Sequence, residues 1–400
     1  MAKDKRDAII VSAVRTPVGS FGGALRDVSH TDLASLVMKE VCARANDFPK
    51  DKLDDVFWGM VMQRCDENGL ARDAALRAGI PDFVSAVHIS RACCSSMEAI
   101  RIASMRIRLG EGDAFLAGGG ESMSNVGFSI FGARWGLRLR HQQLNDGVWD
   151  GLFDHFTGLI MGMTAENVAE QYNISRDDQD EFAYTSQMRA KKALETGRFK
   201  DEIVPVVIPG KRGKPDKIVD TDEHPRPDTT LEGLAKLPAA FREGGTVTAG
   251  NSSGINDGAS GTIVVSREFA DQYDFNRRWK ILGCVSVGVN PAIMGIGPIS
   301  AVKKLLQQTG YSVKDIELWE INEAFAAPSV AVERELGLDR EIVSVNGSGI
   351  AIGHPIGNTG ARLVVTLIHE MEKRGNKLGI AALCGGGGVG QAIMIQKDEK

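Results

Sequence analysis

The chain has no CxxC pair and no histidines at zinc-ligand spacing. Its six cysteines, Cys42, Cys65, Cys93, Cys94, Cys284 and Cys384, are too sparse for a disulfide framework and give no metal site. Cys42, Cys65 and Cys284 are therefore expected to be small buried hydrophobes, the usual fate of a free cysteine. Basic charge is not in excess either. With 47 Lys and Arg against 52 Asp and Glu, the net charge is −5, which argues against nucleic acid as a partner. No apolar run reaches the ~18–20 residues that cross a bilayer. The charged opening runs straight into a strand-like segment without the apolar core of a signal peptide, and the closing Asp-Glu-Lys matches no targeting tail. The expectation is a soluble cytoplasmic protein that does not engage membranes.

What the chain has in quantity is glycine, 46 in 400 residues, which suits tight turns and pockets lined by backbone. Small anionic ligands remain open to an acidic protein, because helix N-termini can hold phosphates. Four hundred residues also exceed one small core and leave room for two or three packed units.

Strands are expected at Ala8–Val14, Asp55–Met62, Ala86–Ser90 and Ala114–Ala117, the last ending in Gly118-Gly119-Gly120. Helices are expected at Thr31–Ala43 and Met97–Leu109. Such alternation argues for an α/β sheet covered on both faces. From about Ser122 to Thr248 strand signals fade, while Ala165–Gln171 and Asp177–Thr196 have helical spacing. This reads as an excursion from the sheet that carries ligand contacts. A faint repeat links Cys93-Cys94-Ser95-Ser96, its helix and the Gly118-Gly119 strand to Gly357-Asn358-Thr359-Gly360, its helix and Cys384-Gly385-Gly386. Two copies of one α/β unit would explain it.

Cys93 sits between a strand and a helix, where unpaired N–H groups and the helix dipole favour a thiolate and can stabilise an oxyanion. For a single cysteine, burial is the commoner outcome; the Cys93-Cys94 pair at such a turn makes catalysis an equal reading. His354, inside Asn346–Gly357 and framed by glycines and Pro355, is the residue type that activates a thiol near neutral pH. On its own, a turn histidine bonded to backbone is the simpler reading. Residues 385–390 satisfy GxGxxG, yet that dinucleotide fingerprint needs a following helix and strand, and too little chain remains. Cys384, beside bare backbone, reads better as a second acid/base. Asn322 could hold a water or polarise a carbonyl, or simply close a turn.

Taken in order, these segments resemble the thiolase family, the acetyl-CoA acetyltransferases and 3-ketoacyl-CoA thiolases. Arg15-Thr16-Pro17, Gly118–Ser124, Met161–Asn167, Thr248–Ala259, Asn322–Ala326, Gly353-His354-Pro355 and Cys384–Gly387 all match the family's motifs. The resemblance implies an α/β thiolase-like fold, two similar halves layered α-β-α-β-α. Its domains would be residues 1–268, with a loop insertion at about 122–248, and residues 276–400. It also implies an acyltransferase with Cys93 as acylated nucleophile, His354 as its base and Cys384 as the α-carbon base. Asn322 with His354 would form one oxyanion hole, the N–H groups of Cys93 and Gly386 the other. Coenzyme A would be a substrate and product, with no permanently bound cofactor and no metal. Arg226, Ser253 and Ala249 would contact it, and Met161 and Phe325 would line the acyl end. A homodimer or homotetramer is implied as well.

Several positions depart from the family pattern. Ser96 replaces a glycine, Ser348-Gly349 replace Gly-Ala, Ile160 replaces a histidine of short-chain members, and Gly127-Phe128 replace Pro-His. These changes open the acyl end to a different or bulkier chain. The reading from another class is a non-catalytic acyl-CoA carrier on the same fold. A ketoacyl synthase fits less well, since one histidine and a second cysteine stand where those enzymes use Cys-His-His or Cys-His-Asn.

Overall fold

The computed structural model describes residues 4–139, 141–210 and 213–399. The first half runs β1 (Ala8–Arg15), α1 (His30–Ala43), β2 (Asp55–Gly59), α2 (Leu70–Arg77), β3 (Ser85–Ile89), α3 (Ser95–Leu109) and β4 (Ala114–Ser122). The excursion follows, with α4 (Met161–Gln171) and α5 (Arg176–Glu195), and β5 (Asn256–Ser266) returns to the sheet. The second half is β6 (Trp279–Gly288), α6 (Gly297–Thr309), β7 (Leu318–Ile321), α7 (Ala326–Leu336), α8 (Thr359–Arg374), β8 (Leu378–Gly385) and β9 (Val389–Lys397).

The strands follow the order β7-β8-β9-β6-β1-β5-β4-β2-β3, with Gly19–Ser20 added beside β5. Among the described residues two pairs, Ile9–Lys280 and Ile10–Trp279, join the halves of this ladder. Side chains alternate across each strand, and the alternation sorts them into three cores. Ile9 and Val11 of β1 pack with Leu33 and Val37 of α1 on one outer face. Trp319 of β7 and Ile380 of β8 pack with Val302 of α6 on the other. Between them, Ile10, Phe115, Leu383 and Ile395 from both halves enclose Ile100 of α3 and Val364 of α8. The result is five layers, α-β-α-β-α, with α3 and α8 buried at the centre.

The repeat seen in the sequence is real at this level. α3 has 15 residues and ends at Gly110 in the left-handed region; α8 has 16 and ends the same way at Gly375. Each is followed by a strand beside its own half's helix.

Three expectations need correction. The strand at residue 114 does not stop before the glycines but continues through them to Ser122. They are there for closeness: a Cβ on Gly119 would lie 2.6 Å from Ser96 Cβ and from the Gly357 carbonyl oxygen. The strand beginning at Asp55 ends early, at Gly59, because the following N–H groups of Val61 and Met62 turn to the Glu121 carboxylate at 3.0 and 3.1 Å. Cys65 is exposed, whereas Cys42 is buried as expected and Cys284 partly so; the polar loop around Cys65 offers it no core. Among the described residues no helix is long and apolar enough to cross a membrane.

Candidate active site

Both central helices begin at the same end of the molecule, so the turns that precede them meet. The turn before α3 is tight. Ala92 takes a positive φ of 47°, a region few side chains occupy without support. Ser95 supplies that support, its N–H and hydroxyl reaching the Ala92 carbonyl at 3.0 and 2.6 Å. The bend separates the two neighbouring thiols. Cys93 faces a cavity of about 590 Å³, whereas Cys94 is buried in the central core with its sulfur toward the Leu383 carbonyl.

His354, Cys384, Met161, Arg226, Ala249, Ser253 and Phe325 line that same cavity. Three stretches far apart in sequence thus put two sulfurs and an imidazole around one space. Two residues singled out in the sequence lie just behind its wall. Asn322 is buried, with its side-chain nitrogen 3.5 Å from each ring nitrogen of His354 and its oxygen without a hydrogen-bond partner among the described residues. Gly386 directs its backbone N–H to the Cys93 sulfur, which also receives its own N–H. The glycine run is followed by a strand, Val389–Lys397, so no dinucleotide fingerprint is present.

The excursion is tied down where it meets these residues. Glu166 of α4 accepts from the N–H groups of Thr246 and Val247 at 2.9 and 2.8 Å. Ser253 N–H donates to the Ala324 carbonyl and Ala326 N–H to the Asn251 carbonyl, both at 2.9 Å. The segments 248–256 and 322–326 therefore form one wall. Asn256 completes it by accepting the His354 N–H at 2.9 Å.

Several of these supports carry no motif signal of their own. Asn256 and Glu121 lie inside matched segments without a predicted role. Glu121 binds Val61, Met62 and Gly357 N–H groups, and burial raises its carboxyl to about 7. Gln187 and His224 join Arg226 at the polar end of the cavity; burial holds His224 down at about 4. Of the departures, Ile160 does line the cavity, while Phe128 is 62% exposed away from it. Ser96 links the two central helices, donating to the Asn358 carbonyl at 2.9 Å and accepting the Ala361 N–H at 2.8 Å. Ser348 accepts from the buried Arg362 guanidinium at 2.9 Å.

The electrostatics correct one expectation. Burial raises the Cys93 thiol to about 11, outweighing the N–H groups of Gly386 and of Cys93 itself. Burial likewise raises Cys384 to about 12, helped by the neighbouring Cys93 thiol, which ionises at its expense. His354 is pushed down to about 3 by burial, then by the charge of Arg362. These directions favour neutral thiols and a neutral imidazole at rest over a thiolate. Because only the thiolate alkylates, its fraction rises about tenfold per pH unit below the thiol's pKa. Iodoacetamide labelling of Cys93, followed by peptide mass spectrometry, is expected to accelerate about tenfold per unit from about pH 6 to 8. A plateau already present at neutral pH would mean a resting thiolate.

Comparison with known proteins agrees with this architecture. Residues 8–268 match the thiolase N-terminal domain and residues 276–397 the thiolase C-terminal domain. The acetyl-CoA acetyltransferase of Syntrophomonas wolfei is 48% identical over 396 residues, 98% of this chain and 99% of its own. The crystal structure of Bacillus anthracis acetyl-CoA acetyltransferase superposes with a TM-score of 0.95 at 47% identity, covering 98% of this chain and 99% of that one. Human mitochondrial 3-ketoacyl-CoA thiolase in complex with CoA gives 0.93 at 39% identity, covering 98% of each. The chain belongs to the thiolase family.

Proposed function

We propose that this chain is an acetyl-CoA acetyltransferase that joins two acetyl-CoA molecules into acetoacetyl-CoA and CoA, and catalyses the reverse thiolysis. The supporting observation is the single cavity shared by Cys93, His354 and Cys384. Names of the relatives point the same way. The division into residues 1–268 and 276–400 belongs to the same proposal, as does action in the cytoplasm as a homodimer or homotetramer. Exposed apolar residues such as Phe131 (74%), Trp135 (85%) and Leu139 (98%) suit a contact between copies.

In the first half-reaction, the Cys93 sulfur attacks the acetyl-CoA carbonyl as His354 takes its proton. The N–H groups of Cys93 and Gly386 receive the developing oxyanion. The C–S bond to CoA breaks, and Cys384 gives its proton to the departing sulfur. Acetyl-Cys93, protonated His354 and a Cys384 thiolate remain. In the second half, Cys384 removes an α-proton from a second acetyl-CoA. Protonated His354, with a water held by Asn322, stabilises the enolate oxygen. The enolate carbon attacks acetyl-Cys93, acetoacetyl-CoA leaves, and His354 returns its proton to Cys93. A thiol raised to about 12 makes a strong base once ionised, as a weakly acidic carbon demands. CoA would lie along the excursion, with Arg226 at its polar end, Ser253 and Ala249 on its stem, and Met161 and Phe325 at the acyl end.

Incubation with acetyl-CoA alone tests the proposal. Acetylation of the Cys93 peptide and release of CoA and acetoacetyl-CoA are the expected results. CoA binding without any adduct would leave an acyl-CoA carrier instead.

A further inference from the structure

A histidine can act as a base only through a nitrogen that carries no proton, so the tautomer of neutral His354 decides whether it can serve Cys93. Two contacts behind the ring bear on that choice. The Thr359 hydroxyl lies 2.6 Å from Nδ1 of His354 and 2.9 Å from the carbonyl oxygen of Pro355. A carbonyl oxygen only accepts, so the one hydroxyl proton of Thr359 is committed to Pro355. A lone pair is left facing Nδ1. Satisfying both contacts requires that Nδ1 bring the second proton.

We infer that Thr359, the first residue of α8, holds His354 as the Nδ1–H tautomer and so leaves Nε2 bare for the cavity. In water neutral histidine favours the opposite tautomer, so the protein has to impose this one. The surroundings favour it. Thr359 is fully buried, which removes water as a competing partner for Nδ1. The backbone on either side is fixed too: His354 N–H is held by Asn256 at 2.9 Å, and Thr359 N–H donates to Pro355 at 3.1 Å. Asn322, equally far from both ring nitrogens, does not itself select a tautomer. Thr359 is thus a positioning residue acting through His354, and the inference rests on the reading of His354 as the base for Cys93.

The tautomer can be read directly in the wild-type protein labelled with 15N-histidine, assigning His354 from a His354→Asn sample. Protonated Nδ1 and bare Nε2 are expected; the reverse pattern overturns the inference whatever the enzyme does. Kinetics supply the second arm. Thr359→Val keeps the shape and removes the hydroxyl, and is expected to slow Cys93 acetylation about 10²–10³-fold, because a misplaced imidazole proton disables a nucleophile–base pair. The KM for acetyl-CoA should stay within about threefold, since only the proton transfer is touched. Thr359→Ser, which keeps the hydroxyl, should recover most of the rate. A valine variant with wild-type acetylation overturns the inference, and so does a serine variant as slow as valine. If the valine variant does not fold, the wild-type tautomer and the serine variant decide. Absence of acetylation in the wild type would instead defeat the acyltransferase reading, and the spectrum would still report the tautomer.

Discussion

Replacing Cys384 by alanine is expected to leave acetylation of Cys93 measurable while lowering acetoacetyl-CoA formation at least about 10³-fold, the upper range for losing one acid/base group. The two halves separate because they need different things from this thiol. In the first half CoA departs as a thiolate, which can leave unassisted and take a proton from water entering the cavity. In the second half nothing replaces Cys384. The α-proton of a thioester is weakly acidic, and the other candidate base, His354, is held at about 3 and is far too weak to remove it. The measurement is paired: mass spectrometry of the Cys93 peptide after acetyl-CoA, and absorbance of the acetoacetyl thioester at steady state. A variant blocked at acetylation but competent to condense pre-acetylated enzyme would reverse the roles of Cys384 and His354.

The layering follows from signals that are local and periodic. Strand–helix alternation fixes both halves, and the matched Gly110 and Gly375 helix ends carry the duplication. What the residues alone left open was which cysteine of a pair reacts. Cys93 and Cys94 have nearly the same sequence surroundings, and only the bend at Ala92 turns one to the cavity and the other to the core. The protonation state was also out of reach. Helix position argues for a thiolate, yet burial between two sheets outweighs two N–H groups, and burial is a property of the whole fold. Thr359 and Asn256 escaped for a related reason. Each acts through a hydrogen bond to His354 that becomes visible only when the turn is closed.

The departures have physical meaning at the same level. Where the family carries glycine, Ser96 adds a hydroxyl bridging α3 and α8, the helices that follow Cys93 and His354. There is room for it because Gly119 and Gly59 lack side chains on the facing strands. Ser348 gives the buried Arg362 a neutral acceptor, beside Glu320 at 3.6 Å. Neither side chain lines the cavity, so both changes are absorbed by the scaffold. Ile160 is the departure that reaches the cavity, and it makes that wall more apolar.

Cys93→Ser is expected to abolish acetylation and lower turnover by more than about 10⁴-fold, with the melting temperature almost unchanged. A serine oxygen is a plausible nucleophile elsewhere because a strong base takes its proton during attack. Here the base is an imidazole at about 3, and a hydroxyl is far harder to ionise than even a thiol raised to about 11. Stability is spared because the oxygen still meets the N–H groups of Gly386 and residue 93, and because the side chain borders open space. Nor can Cys94 take over. Its sulfur points into the central core, about 4.0 Å from the Leu383 carbonyl oxygen, and reaching the cavity would mean unwinding the first turn of α3. An acetyl group localised to the Cys94 sulfur by fragmentation of the peptide, or wild-type turnover by the serine variant, would therefore mean that the bend at Ala92 does not set the nucleophile. Without it, the meeting of two sulfurs and an imidazole would have no chemical consequence.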